Sequence, residues 1–207
     1  MSIESEVTRR NITQLLHFTN VSNLPSILVN GIVPREMLED DTYDFNDLYR
    51  IDGHLNANCV SISHPNSALF YRLRQNSPSV KWAIISLSPR ILWEKCCAFY
   101  PCNAASNEVR FTSPTELSNE ASFTAMFADE VGNISRAGQN LPLKYPTNLQ
   151  AEVLVFDTIE TAFFDRIFYS EKSVAETYYA YNTSLTHSYY PSINGKNLYA
   201  GRDYFLR

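Results

Sequence analysis

Gln150-Ala151-Glu152-Val153-Leu154-Val155-Phe156-Asp157 is the stretch on which the fold turns. Val153, Leu154 and Val155 are consecutively apolar and two of them are β-branched, the composition of a buried strand. Strand side chains alternate between faces, so Glu152, Leu154 and Phe156 share one side. That places a carboxylate near the start of an otherwise apolar strand, where burial without a partner would cost on the order of several kcal/mol. Two readings of Glu152 remain open: a residue at a wet strand edge, or a carboxylate aimed into a cleft at the end of a sheet.

Working outward, Ala162–Tyr169 (AFFDRIFY) predicts a second strand and Glu171–Tyr181 a helix after it. Upstream, Trp82–Leu87 (WAIISL) reads as a buried strand and Pro89–Trp93 as a short helix. Cys59–Ser63, with Val60 and Ile62, predicts a short strand, and Ala68–Leu73 after Pro65 a helix. The chain opens with a strand over Ile12–Thr19. A two-turn helix follows within Asn23–Gly31, with Pro25 in its first turn and Gly31 just past its end. Val109–Phe111 is expected to be a strand end and Phe123–Glu130 a helix. Gly132, Gly138, Pro142 and Pro146 then break the pattern, leaving 112–149 largely irregular, and irregular segments of that length are often functional. Short strands with short helices between them predict an α+β fold. No regular βαβ alternation with a Gly-rich turn is present, which argues against a dinucleotide-binding domain of the doubly wound kind.

The 207 residues are 44% hydrophobic and 13% aromatic, enough for a real core and for one domain spanning 1–207. No apolar run approaches the roughly 18 residues of a membrane span, and MSIESEVTRR lacks the apolar stretch of a secretory signal. A soluble cytoplasmic protein with no membrane partner is expected. The formal net charge of −5 argues against a large phosphate-tracking surface without excluding a local groove. Acidic residues concentrate in 36–47, which carries Glu36, Glu39, Asp40, Asp41, Asp44 and Asp47 and no Lys or Arg. Cys59, Cys96, Cys97 and Cys102 form no C-x-x-C, and His54, Cys59 and His64 match no familiar zinc spacing. Neither a disulfide nor a metal is expected.

Three residues stand out as candidates for chemistry. Glu152 is the first. His17, between Leu16 and Phe18, is either a satisfied core histidine or a group just ahead of a helix amino terminus, where anions are welcome. Arg50 is either a surface charge or a fork for pyrophosphate or carboxylate. No serine elbow, Walker loop or H-E-x-x-H motif occurs.

Taken in order, several segments resemble the DarT family of DNA ADP-ribosyltransferase toxins. They are His17 through Leu28 with Gly31, Arg50 through Gly53-His54-Leu55, Ser63-His64-Pro65 through Tyr71, Asn103-Ala104-Ala105-Ser106, and Gln150 through Val155. The likeness covers residues 14–181. It implies a compact ADP-ribosyltransferase fold, a split β-sheet core flanked by short helices, with NAD in the cleft between the halves. On that likeness Glu152 matches the catalytic glutamate. His17 matches the histidine that holds the nicotinamide-side ribose. Thr19 and Asn23 match residues lining the dinucleotide. Arg50 matches an arginine beside NAD and the incoming base, and Tyr71 falls where an aromatic could cover the nicotinamide.

The same resemblance places a substrate loop within 112–149, where Arg136, Lys144 and Tyr145 could contact phosphate or stack on a base of single-stranded DNA. Asn58 through Ser67 is shorter and less aromatic than in the thymine-modifying branch, which points to guanine as the acceptor, with thymine the alternative. The family also implies a toxin paired with a separate antitoxin that removes ADP-ribose. The competing readings are an inactive, binding-only relative, and a transferase acting on protein or RNA.

Overall fold

The computed structural model describes residues 2–38, 53–190 and 195–206. In chain order the elements are α1 (Ile3–Arg10), β1 (Leu15–Asn20), α2 (Leu24–Asn30), β2 (Asn58–Ile62), α3 (Ser67–Asn76), β3 (Trp82–Leu87), α4 (Ile91–Glu94) and β4 (Cys97–Tyr100). Then come α5 (Glu120–Ala125), the two-residue strands β5 (Glu130–Val131) and β6 (Ile134–Ser135), α6 (Arg136–Gln139), β7 (Glu152–Val155), β8 (Phe164–Tyr169), α7 (Lys172–Tyr179), β9 (Thr186–Tyr189) and α8 (Arg202–Leu206). The expected α+β class holds.

Seven strands form one sheet in the order β4-β7-β2-β1-β3-β8-β9, antiparallel throughout except for the parallel β8–β9 edge pair. The sheet is split near its middle. β1 and β3 pair along six positions, whereas β1 and β2 meet only at Leu15↔Ile62 and Leu16↔Ser61. Beyond Leu16 the strands diverge, and the backbone carbonyl of Cys59 faces His17 across the gap, 2.9 Å from Nδ1.

Period-2 alternation explains why the long apolar strands are buried on both faces. Leu15, Ile85, Phe99, Val153 and Val155 enter the main core together. Their sequence neighbours turn the other way. Ala98, Tyr100 and Leu154 form a second cluster on the β4-β7-β2 half, and Leu16 and Ile84 form a third with Phe70, Trp82 and Tyr199.

Helix α2 begins with Pro25 in its first turn and ends at Gly31, as its sequence predicts. Gly31 has φ 80°, and a Cβ there would lie 2.5 Å from the carbonyl oxygen of Ile159. The bare backbone lets Ile32 pair with Ile159 through two hydrogen bonds of 2.9 and 3.0 Å. That pairing pins the end of α2 to the segment leaving β7.

Other expectations need correction. Val109–Phe111 is a run of hydrogen-bonded turns, not a strand end: Val109 N and Arg110 N both donate to the Ser106 carbonyl. The helix expected at Phe123–Glu130 is α5, which starts at Glu120 because Asn119 caps it, its side chain accepting from Ser122 N at 2.9 Å. The pattern also left α1, β4, β9 and α8 unassigned. Among the described residues no helix is long and apolar enough to cross a membrane.

Candidate active site

The diverging strands β1 and β2 enclose a cleft with about 1290 Å³ of atom-free space, part of it open to solvent. His17, Thr19, Asn23 and Glu152 all line it. It is the split that brings them together: β1 supplies His17 and Thr19, the turn into α2 supplies Asn23, and β7 supplies Glu152 from the other half-sheet.

Glu152 is 8% exposed and not at a wet edge. It pairs across strands with Tyr100, and its Oε1 accepts a 2.8 Å hydrogen bond from Asn103 Nδ2. Asn103 is itself held, since its Oδ1 accepts from Ala105 N at 2.9 Å and its carbonyl from Ser106 N at 2.8 Å. The turn after β4 therefore aims one amide at the carboxylate. This role of Asn103 was not read from sequence. The signal was present in Asn103-Ala104-Ala105-Ser106, but its meaning depends on β4 lying beside β7.

Thr19 is buried and its hydroxyl accepts from Asn23 Nδ2 at 3.1 Å, coupling strand to helix at the cleft wall. Asn58, also in the wall, donates to the carbonyls of Ile32 (2.8 Å) and Asp157 (3.1 Å). It ties β2 to the ends of α2 and β7, so the rim is braced by backbone acceptors rather than by side-chain packing alone.

The remaining sequence candidates lie elsewhere. Arg50 lies outside the described residues. Tyr71, on α3, is 59% exposed and not part of the cleft wall, because the helical repeat turns its neighbours Leu69 to the cleft and Phe70 to the core. Arg136 does not extend from the loop. Its guanidinium donates to the carbonyls of Tyr145 and Pro142, each at 2.7 Å. Tyr145 is 3% exposed, so its ring offers no free face for stacking, and Lys144 Nζ sits 5.5 Å from that ring centroid.

A guanidinium scaffold holds this loop. Arg202 of α8, buried, donates to the Pro146 carbonyl (2.7 Å), the Thr147 carbonyl (3.2 Å) and Gln139 Oε1 (2.6 Å). Arg10 reaches the Leu143 carbonyl at 3.4 Å while lying 4.0 Å over the Phe127 ring. The loop leading into β7 is thus bonded to both ends of the chain.

Of the described cysteines, Cys59 belongs to this wall and is half-buried, whereas Cys97 lies elsewhere, its thiol pushed up to about 12 by burial. Among the described residues no group of three or more His, Cys, Asp or Glu side chains could hold a metal ion. The chemistry on offer is that of one oriented carboxylate sharing a cleft with a histidine and with amide and hydroxyl groups.

This combination of split sheet and cleft belongs to the ADP-ribosyltransferase structures of the DarT type. The Thermosipho africanus DarTG structure in complex with ADP-ribose superposes with a TM-score of 0.61 at 18% identity, covering 86% of this chain and 49% of that one. This chain thus spans about half the length of that DarTG chain. Thermus sp. 2.9 DarT in complex with NAD+ gives 0.55 at 14% identity, covering 86% and 95%. The same protein in complex with ADP-ribosylated ssDNA gives 0.57 at 14% identity, covering 87% and 95%. No curated protein matches the sequence. The family described as "ssDNA thymidine ADP-ribosyltransferase, DarT" matches residues 16–199, and the chain belongs to that family.

Proposed function

We propose that this protein transfers ADP-ribose from NAD to a nucleobase of single-stranded DNA, with guanine as the acceptor. The observation that carries the reading is Glu152, buried in the cleft of the split sheet, gripped by Asn103 and sharing that cleft with His17. In the reaction the bond from ribose C1′ to the nicotinamide nitrogen breaks, and nicotinamide leaves with the electron pair. Positive charge develops at C1′, and a carboxylate fixed in a site poor in water stabilises it. A base nitrogen then bonds to C1′ and loses its proton to Glu152, which returns it to solvent. His17 holds the ribose, with Thr19 and Asn23 along the dinucleotide. Arg50 enters this reading on its sequence position alone. Holding both reactants in one cleft makes the step effectively unimolecular. A single strand is the cheaper substrate because its bases need not be unpaired.

The choice of guanine rests on the short, weakly aromatic segment 58–67, against the thymidine of the family description. The Thermosipho DarTG likeness supports a toxin–antitoxin role, and the proposal includes a cognate antitoxin that removes the ADP-ribose. The test is incubation with NAD and four oligonucleotides, each enriched in one base, read by mass spectrometry. Addition of ADP-ribose to the guanine-rich strand is expected. Addition to the thymine-rich strand alone would move the acceptor, and modification of only protein or RNA would overturn DNA as the substrate.

A further inference from the structure

We propose that Asn66 is a ligand-binding residue whose side-chain amide donates a hydrogen bond to a carbonyl oxygen of a substrate held in the cleft. Asn66 is 3% exposed and lines the same cleft as His17 and Glu152. Its surroundings fix its orientation. The backbone N–H donates to Ser61 Oγ at 3.1 Å, and Oδ1 accepts from Leu69 N at 3.2 Å, capping α3. Only the oxygen of the amide can accept that bond, so Nδ2 is left with two donors.

Nδ2 is buried and makes no hydrogen bond. Five buried side-chain atoms among the described residues share that condition, on His64, Asn66, Arg74, Trp82 and Arg202. Of these five residues only Asn66 belongs to the cleft wall. Buried amide donors are normally paired, and a site built around an unpaired one discriminates strongly for a ligand that supplies the acceptor.

Position identifies the acceptor. β2 and β7 pair antiparallel as far as Val60↔Val153, and Ser61 and Glu152 are the next residue of each strand. Asn66, bonded to Ser61, therefore stands at the Glu152 end of the cleft. This step rests on the proposed function: around C1′ the substrates present two carbonyl oxygens, the carboxamide of the departing nicotinamide and a ring carbonyl of the incoming base. Both offer the planar acceptor that an amide donor requires.

Asn66→Asp keeps the oxygen that caps α3 and removes the donor. Asn66→Ser keeps a capping oxygen without adding charge. For the full chain and both variants, thermal melting, DNA-independent NAD hydrolysis and transfer to the oligonucleotide modified by wild type are measured. A loss of about ten- to a hundredfold in kcat/KM is expected with a near-unchanged melting temperature for at least one variant. Equal loss in hydrolysis and transfer assigns the contact to the nicotinamide, and loss confined to transfer assigns it to the base. Folded variants matching wild type in both reactions would overturn the role of Asn66 while leaving the transferase reading intact. A wild-type chain that neither hydrolyses nor transfers ADP-ribose from NAD would remove that reading, and this one with it.

Discussion

The contact between Asn103 and Glu152 makes a quantitative demand on catalysis. Asn103 Nδ2 lies 2.8 Å from Glu152 Oε1, and Oδ1 of the same amide closes a turn onto Ala105 N at 2.9 Å. Asn103→Ala removes both bonds. A hydrogen bond to a charged group is worth about 1.5–3 kcal/mol, so transfer should fall about ten- to a hundredfold if the carboxylate must be held in place. Asn103→Asp is more diagnostic. The turn survives, because Oδ1 still accepts from Ala105 N, but the donor facing Glu152 becomes a second carboxylate. Two such charges relaxed to about 4 Å repel by about 4 kcal/mol at an effective dielectric constant of 20. The pair then retains a proton to higher pH. The assay is kcat/KM for transfer to single-stranded DNA as a function of pH. The acidic limb should move upward in Asn103→Asp and stay in place in Asn103→Ala, which should lose rate at every pH. A wild-type profile and rate in both variants would refute the proposal that this amide positions Glu152 for catalysis.

Glu152→Gln retains the acceptor for Asn103 and should leave unfolding unchanged while reducing transfer by about a thousandfold or more; near-normal DNA modification would exclude Glu152 from the chemistry. Gly31→Ala places a methyl 2.5 Å from the Ile159 carbonyl at a positive φ, so a loss of roughly 2 kcal/mol is expected in denaturant unfolding, and an unchanged midpoint would contradict the close approach. Arg202→Ala strips the Pro146 and Thr147 carbonyls of a donor, and limited proteolysis between residues 139 and 147 should accelerate; unaltered cleavage would show that the loop holds without α8. Acid should destabilise the fold in two windows. Burial lowers the His64 pKa to about 4, so the unfolded chain binds its proton first and stability falls as pH drops from about 6.5 toward 4. The guanidinium groups of Arg9 and Arg10 hold Glu6 at about 2, so its contribution is present above about 4.5 and is lost as pH falls toward 2. Urea midpoints measured against pH check both, and His64→Asn should flatten the upper window.

The class of fold and the strand bearing Glu152 were legible because apolar alternation and β-branched runs are local signals, strong in 82–87 and 150–157. The end of α2 was equally plain, since Pro25 and Gly31 act through their own backbone. Helix α1 escaped notice because in IESEVTRR only Ile3 and Val7 mark the face packed on the core, while Ser2 capping and the bonds of Glu6 to Arg9 and Arg10 hold the rest. β4 and β9 are four residues each and owe their existence to partners far along the chain.

By itself the sequence marked Glu152 and His17 as candidates for chemistry and the long apolar segments as strands, because residue type and periodicity are properties of the chain alone. Tertiary structure decided what those residues can reach. It turned Glu152 into the cleft, joined Asn103 to it, put Tyr71 outside the wall and tied Arg136 and Tyr145 into the loop itself. The reason is physical: a hydrogen bond requires heavy atoms within about 3 Å, and only the pairing of strands distant in sequence fixes separations at that scale.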